Sequence, residues 1–161
     1  NFDAITLAPY MGADSVRPFL AYKDKWSIVL ALTSNPSAAD FELLTVNGQP
    51  LYKEVLQKAV QWGDADKLMF VVGATQAAAM KEIRKIVPEH FLLVPGVGAQ
   101  GGNLQQISAA GLNDACGLLV NASRSIIYAG SGKDFAAKAR EEAQRMQKEM
   151  EHELLEAGLV S

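Results

Sequence analysis

Five times along this chain a short, unbroken apolar run gives way to a helix-patterned segment, and that rhythm limits the fold more than any other feature. The strand-like runs are DAITLA (3–8), WSIVLAL (26–32), KLMFVVG (67–73), HFLLVP (90–95) and CGLLVNA (116–122). Between them lie SVRPFLAYKDK (15–25), QPLYKEVLQKAVQW (49–62, ended by Gly63), TQAAAMKEIRKIV (75–87, stopped by Pro88) and NLQQISAAG (103–111). A last helix is predicted from about Lys133 to Ala157, with Gly158 at its end. The runs do not alternate polar with apolar residues, so each strand is buried on both faces, which calls for a parallel sheet covered by helices. Strand–helix order repeated in this way defines an α/β class, and 161 residues suit one domain.

Local signals refine the elements. Ser15 is placed as the N-cap of the first helix, with Pro18 in the first turn, where a missing N–H costs little. In the last helix Phe135, Ala139, Ala143, Met146, Met150 and Leu154 recur at spacings of three and four and form one apolar face. The long connection 33–49, TSNPSAADFELLTVNGQ, carries an Asn47-Gly48 turn signal, and long connections in compact domains usually serve function.

Small, polar and glycine residues gather after the strands: PYMG (9–12), TSNPS (33–37), GAT (73–75), GVGAQGG (96–102) and SRSIIYAGSG (123–132). The connections before the strands, KDK, GDADK and PEH, are plain and charged. Parallel α/β folds work at the C-terminal ends of their strands, so the sequence itself indicates the working face.

Composition narrows the partners. The net charge is −3 and no basic stripe with interleaved aromatics exists, which argues against nucleic acid. No apolar run approaches the roughly 20 residues of a membrane span, and no signal peptide is visible. The single cysteine, Cys116, fits a reducing cytoplasm, and His90 and His152 lie too far apart for a Cys/His metal spacing, so no metal is expected. His90 reads as structural, His152 as solvated, and Tyr10 as either packing or pocket lining. The chain opens on Asn1, without Met, in front of a strand-like run, which reads as a fragment or a processed piece.

Residues 96–101 fit G-x-G-x-x-G. A dinucleotide site also needs an acid about 20 positions on, at the end of the next strand, where Asn121 stands instead. The fingerprint also belongs on the first strand–helix turn, not the fourth. A phosphate site built from two adjacent loops fits better. Gly96, Gly98, Gly101 and Gly102 allow close backbone approach, and Ser123, Arg124, Gly130 and Gly132 follow the next strand. Arg124 supplies a planar, permanent charge suited to phosphate. The alternative, two tight turns and a surface arginine, remains open at this level.

In combination, DAITLAPYMGADSVRPF (3–19), LALTSNPSAADF (30–41), LVPGVGAQGG (93–102) and LVNASRSIIYA (119–129) resemble the orotidine 5′-phosphate decarboxylase family, in its longer bacterial branch. The resemblance implies a (β/α)₈ barrel that acts as a dimer and converts orotidine monophosphate to uridine monophosphate without a cofactor. It makes residues 1–161 the C-terminal portion of one barrel, strands four to eight, with the first three strands missing. It implies that Ser34 bonds the base, Pro95 lies beside the ring, and Gln100 bridges the phosphate and the Ser34 loop. By the same resemblance Arg124 holds the phosphate, with Gly96, Gly98 and Ser123 around it and Thr6 lining the site. The family's Lys-Asp-Lys array has no counterpart: Lys23-Asp24-Lys25 and Asp64-Ala65-Asp66-Lys67 have the wrong spacing and lie on the wrong face. The catalytic groups are therefore expected in the missing part. Competing readings are another phosphate-sugar lyase or isomerase on the same scaffold, and a non-catalytic phosphate-binding barrel fragment. An open five-strand sheet exposes edges, so association, swapping or low stability is expected.

Overall fold

The computed structural model describes residues 2–98 and 101–161. In chain order the elements are β1 (Ala4–Leu7), α1 (Ala13–Leu20), β2 (Trp26–Leu32), the short strands β3 (Thr45–Val46) and β4 (Gln49–Pro50), and α2 (Leu51–Ala59). Then follow β5 (Leu68–Val72), α3 (Ala77–Ile86), β6 (Leu92–Pro95), α4 (Leu104–Gly111), β7 (Leu118–Asn121), α5 (Arg124–Ile127) and α6 (Phe135–Glu156). The main sheet is parallel throughout, in the order β1-β2-β5-β6-β7. All five predicted strands are present, each trimmed by a residue or two at its ends except β2.

The two faces of the sheet explain the unbroken apolar runs. On one face Val29, Leu68, Phe70, Val72, Leu92 and Val94 pack against Val16, Leu56, Met80, Ile83 and Ile107 from the helices. On the other, Ile28, Met69 and Val71 form a smaller buried cluster, with Trp26, Leu30, Phe91 and Leu93 packed against it. Central strand β5 is buried at all five positions. Among the described residues β1 and β7 each have one neighbour in this sheet, and Ile5 and Leu119 on them are 41% and 48% exposed.

Helix α1 differs from its sequence reading. It begins at Ala13 after Gly12, whose φ of 86° opens a turn that a Cβ-bearing residue would resist. Ser15 is not the N-cap: its Oγ donates to the Gly12 carbonyl at 2.7 Å from inside the first turn. Pro18 consequently sits in the second turn. Helix α2 starts two residues later than expected because Gln49 and Pro50 pair with Val46 and Thr45. The expected Asn47-Gly48 turn closes that hairpin, with φ of 52° and 81°, the positive pair that a two-residue hairpin requires. In α6 Met146 is buried and Ala139, Ala143, Met150 and Leu154 are half-buried, but Phe135 at its start is exposed.

Arg84 ties the N-terminal ends of the sheet together. From α3 its guanidinium donates to four carbonyls: Gly111 at 2.7 Å, Val87 at 2.9 Å, His90 at 2.6 Å and Gly117 at 2.8 Å. The ends of α3 and α4 and the entries to β6 and β7 thus share one side chain. Burial lowers its pKa to about 10. His90 lies beside this knot, its ring centroid 5.4 Å from that of Phe70, and neither ring nitrogen has a hydrogen-bond partner among the described residues. Its structural reading fits this placement.

Candidate functional site

At the opposite end of the sheet, the last residues of the strands set the geometry. Register pairs Thr6 with Ile28 and Pro95 with Asn121, and Leu93 with both Val71 and Leu119. Thr6, Leu93, Pro95 and Asn121 therefore share the face of the smaller cluster, since registered neighbours in a parallel sheet point the same way. Thr6 is exposed and Pro95 half-buried at the end of β6.

Strand β2 reaches the site through a bulge. Leu30 pairs with Val71 and Leu32 with Val72, so Ala31 is an extra residue. A bulge re-aims the strand beyond it, and here the next residues are Thr33 and Ser34. The Thr33 N–H donates to Glu42 Oε2 at 2.7 Å, and its Oγ1 lies 2.9 Å from Glu42 Oε1. Gln76 Nε2, just beyond β5, donates to the Thr33 carbonyl at 3.2 Å. Ser34 is half-buried, directly over Gly73. A Cβ on Gly73 would fall 2.6 Å from the Ser34 nitrogen, so only glycine admits this approach. The loop then turns through a short 3-10 segment, Pro36–Asp40, and returns to α2 by the hairpin, which Glu54 braces by accepting from Asn47 at 3.3 Å and Gln49 at 2.9 Å. Those two bonds, Gln49 first, hold the Glu54 carboxyl below its usual range.

The glycine-rich loop after β6 folds back on itself. Gly96, Gly98 and Gly101 have φ of 94°, 75° and 85°. Gly98 N–H donates to the Gly102 carbonyl at 3.1 Å, and Gly101 N–H to the Gly98 carbonyl at 2.9 Å. These amides serve the loop, whose glycines thus provide shape before they provide donors. Gly102 lies so close to Ala74 that no Cβ fits between them. Gly98 faces the start of α5: a Cβ there would sit 3.6 Å from Ser125 Cβ. Arg124, the first residue of α5, is exposed, and Ser123 before it donates to Asn121 Oδ1 at 3.3 Å. Gln100 lies outside the described residues.

The ends of β2, β5, β6 and β7 therefore abut in sequence: Ser34 on Gly73, Gly102 on Ala74, Gly98 on Ser125. A separate apolar groove of about 700 Å³ is lined by Pro9, Tyr10, Leu30, Phe41, Glu42, Tyr52 and Val55, among others. Tyr10 is 90% exposed at its rim. Lys23-Asp24-Lys25 and Asp64–Lys67 lie before β2 and β5, at the other end of the sheet. Among the described residues no three His, Cys, Asp or Glu side chains could hold a metal ion, and no helix is long and apolar enough to cross a membrane. Sequence reasoning missed Glu42 and Gln76. Both act through contacts that no local pattern signals.

A parallel sheet with helices on one face and its glycine and hydroxyl residues at the C-terminal strand ends defines the class: part of a (β/α)₈ barrel. The chain belongs to the orotidine 5′-phosphate decarboxylase / HUMPS family, whose sequence profile matches residues 1–140. It is 59% identical over 150 residues to an orotidine 5′-phosphate decarboxylase of Flavobacterium johnsoniae, covering 93% of this chain and 55% of that protein. To the one from Phocaeicola vulgatus it is 54% identical over 152 residues, covering 94% and 56%. Among solved structures, that of Leishmania donovani UMP synthase matches with a TM-score of 0.79 at 40% identity, covering 91% of this chain and 33% of that one. The chain thus spans about half the length of the curated relatives it matches.

Proposed function

We propose that residues 1–161 are the C-terminal portion of one barrel, strands four to eight, and that the complete protein decarboxylates orotidine monophosphate to uridine monophosphate. The proposal includes action as a homodimer in the cytoplasm and no cofactor. In this reading the chain supplies the grip and the rest of the barrel supplies the Lys-Asp-Lys array. Arg124 and the loop at Gly96, Gly98 and Gln100 hold the phosphate, with Ser123 beside them. Ser34 bonds the pyrimidine, Pro95 flanks the ring and Thr6 lines the site.

The observation that carries this reading is the contact of the glycine loop with α5: Gly98 lies against Ser125, next in chain to Arg124. This contact brings the start of α5, where Arg124 stands, next to the glycine loop, which supports the reading that the two hold one anion together. The strand-end series continues from there to Ser34, so one ligand can touch a phosphate grip and a base grip together. Loss of CO₂ from C6 of the pyrimidine leaves a carbanion with little resonance help, which a neighbouring ammonium stabilises and then protonates. Holding the distant phosphate contributes by closing loops and excluding water, so that remote binding energy lowers the barrier.

The test is spectrophotometric loss of orotidine monophosphate, measured with the 161-residue chain alone and with the complete barrel that contains it. Turnover is expected only from the complete barrel. Turnover by the chain alone would overturn the assignment of the charged array to the other part. Absence of turnover by the complete barrel, with turnover of another phosphorylated sugar, would move the protein to a different lyase or isomerase chemistry. Binding without any turnover would make it a phosphate-binding module.

A further inference from the structure

We infer that Asn47–Gly48 is a site of spontaneous deamidation, and that the conversion opens the β3–β4 hairpin that closes the loop after β2. The reaction needs the next backbone nitrogen to attack the asparagine side chain. A side chain on that next residue hinders the approach, and Gly48 has none. Both residues are exposed, and nothing stands within 4 Å of where a Cβ on Gly48 would lie. Among the described residues the Gly48 N–H has no hydrogen-bond partner, so the nucleophile is unoccupied. The Asn47 amide is held by one bond, from its Nδ2 to Glu54 Oε1 at 3.3 Å, beyond the usual range for N–H···O. Asn47 has a φ of 52°, and the attack requires its backbone to turn out of that conformation. The hairpin tip resists this weakly: β3 and β4 are 2 residues each, and Pro50 brings no N–H to the outer rung. The next bonds, from Leu51 N–H to the Leu44 carbonyl at 2.8 Å and from Tyr52 N–H to the Glu42 carbonyl at 3.0 Å, anchor the stem and not the tip.

The other asparagines are placed differently. Asn1 precedes the bulky Phe2, and Asn35 precedes Pro36, which has no N–H to attack with. Asn103 caps α4, its side chain accepting from Gln106 N–H at 2.9 Å, and Leu104 follows it. Asn113 is fixed at both ends of its amide: Nδ2 donates to the Pro88 carbonyl at 2.8 Å, and Oδ1 accepts from Ala115 N–H at 3.1 Å. Asn121 accepts from Ser123 at 3.3 Å and precedes Ala122 at the end of β7.

In the reaction the Gly48 nitrogen bonds to Asn47 Cγ, the Cγ–Nδ2 bond breaks, and Nδ2 leaves as ammonia with the proton that the Gly48 N–H gives up. Water then opens the resulting succinimide at either carbonyl, giving aspartate or isoaspartate. The net change consumes water and releases ammonia, and its rate rises with pH because the attacking nitrogen must lose its proton. Both products act against the hairpin. Aspartate sets a second carboxylate beside Glu54 and removes a donor from which Glu54 accepts. Isoaspartate inserts a main-chain carbon into a turn that needs two successive left-handed residues, here at φ of 52° and 81°.

The test ages the complete barrel at mildly alkaline pH, beside an Asn47→Gln variant, whose longer side chain forms the ring far more slowly. Peptide mapping by mass spectrometry locates the converted residue. Brief chymotrypsin treatment reads the loop, since Phe41 and Leu44 are 65% and 50% exposed beside the hairpin. Asn47 should convert before Asn103, Asn113 and Asn121. Cleavage between residues 41 and 44 should then become about tenfold faster in the converted protein, as the open population grows by that factor. The aged Gln variant should keep its own starting rate. Conversion of another asparagine first, or none at Asn47, would overturn the assignment of the site. Conversion at Asn47 with cleavage unchanged, or equal acceleration in the Gln variant, would overturn its effect on the hairpin.

Discussion

Replacing Arg84 by Met should be among the most damaging single changes in this chain. The side chain gives four hydrogen bonds to the carbonyls of Val87, His90, Gly111 and Gly117. At about 1.5–3 kcal/mol for each bond from a charged donor, the gross loss is about 6–12 kcal/mol. Three effects reduce it. The guanidinium is held with its pKa lowered to about 10 by burial, so removing it relieves a desolvation penalty. Methionine also fills much of the same space, and some freed carbonyls near the sheet end regain water. A net loss of about 3–5 kcal/mol remains, the range seen when one member of a buried polar set is removed. For a chain of this size that is a fall in Tm of about 6–20 °C. Urea and thermal unfolding of the wild-type chain, Arg84→Met and Arg84→Lys, followed by far-ultraviolet circular dichroism, would measure it. Lysine keeps the charge but has three donors on one nitrogen and cannot span four separated carbonyls, so it should recover less than half the loss. A Met variant within about 1 kcal/mol of wild type would refute the claim that this side chain joins the strand entries.

Three further outcomes follow from the geometry. Gly73→Ala keeps an ordinary backbone conformation, with φ of −62°, so its effect is purely steric: a Cβ 2.6 Å from the Ser34 nitrogen pushes that loop away. Calorimetry on the complete barrel should show uridine monophosphate binding weakened by about tenfold or more. Arg124→Ala should cost about 2–5 kcal/mol in binding that ligand while leaving urea unfolding of the chain within about 0.5 kcal/mol of wild type, since the side chain is exposed. His90 is held below its usual pKa of 6.5 by burial first and the Arg84 charge second. The unfolded chain then takes the proton before the folded one does. Its contribution is complete above pH 6.5 and falls as the pH drops from there toward the folded pKa. Comparing urea midpoints of wild type and His90→Phe at about pH 7.5 and about pH 5.5 should show a smaller acid loss for the variant.

The strands were legible because burial on both faces forces unbroken apolar runs, as in Leu68–Val72, and the working end was legible because glycine and hydroxyl residues collect there. Helix starts were less so. Ser15 has the composition of an N-cap, yet it lies inside the first turn of a helix begun by Gly12. Capping residues also bond backward from inside a helix, and sequence alone does not separate the two uses. Gln49-Pro50 reads as the start of an amphipathic helix until Asn47-Gly48 folds it into a hairpin. The knot at Arg84 was invisible for another reason. In sequence it is one more basic residue on an amphipathic helix, and its four acceptors lie 3 to 33 positions away. Glu42 reads as one acid in a long loop, and its link to Thr33 is made only when the chain returns from the 3-10 turn.

In the main sheet, spatial order and chain order coincide: each new strand lies beside the one before it. Among the described strands of this sheet none waits for a partner that is synthesised much later. Such a sheet can lengthen by one strand–helix unit at a time as the chain leaves the ribosome, with each unit finding a finished surface to dock on.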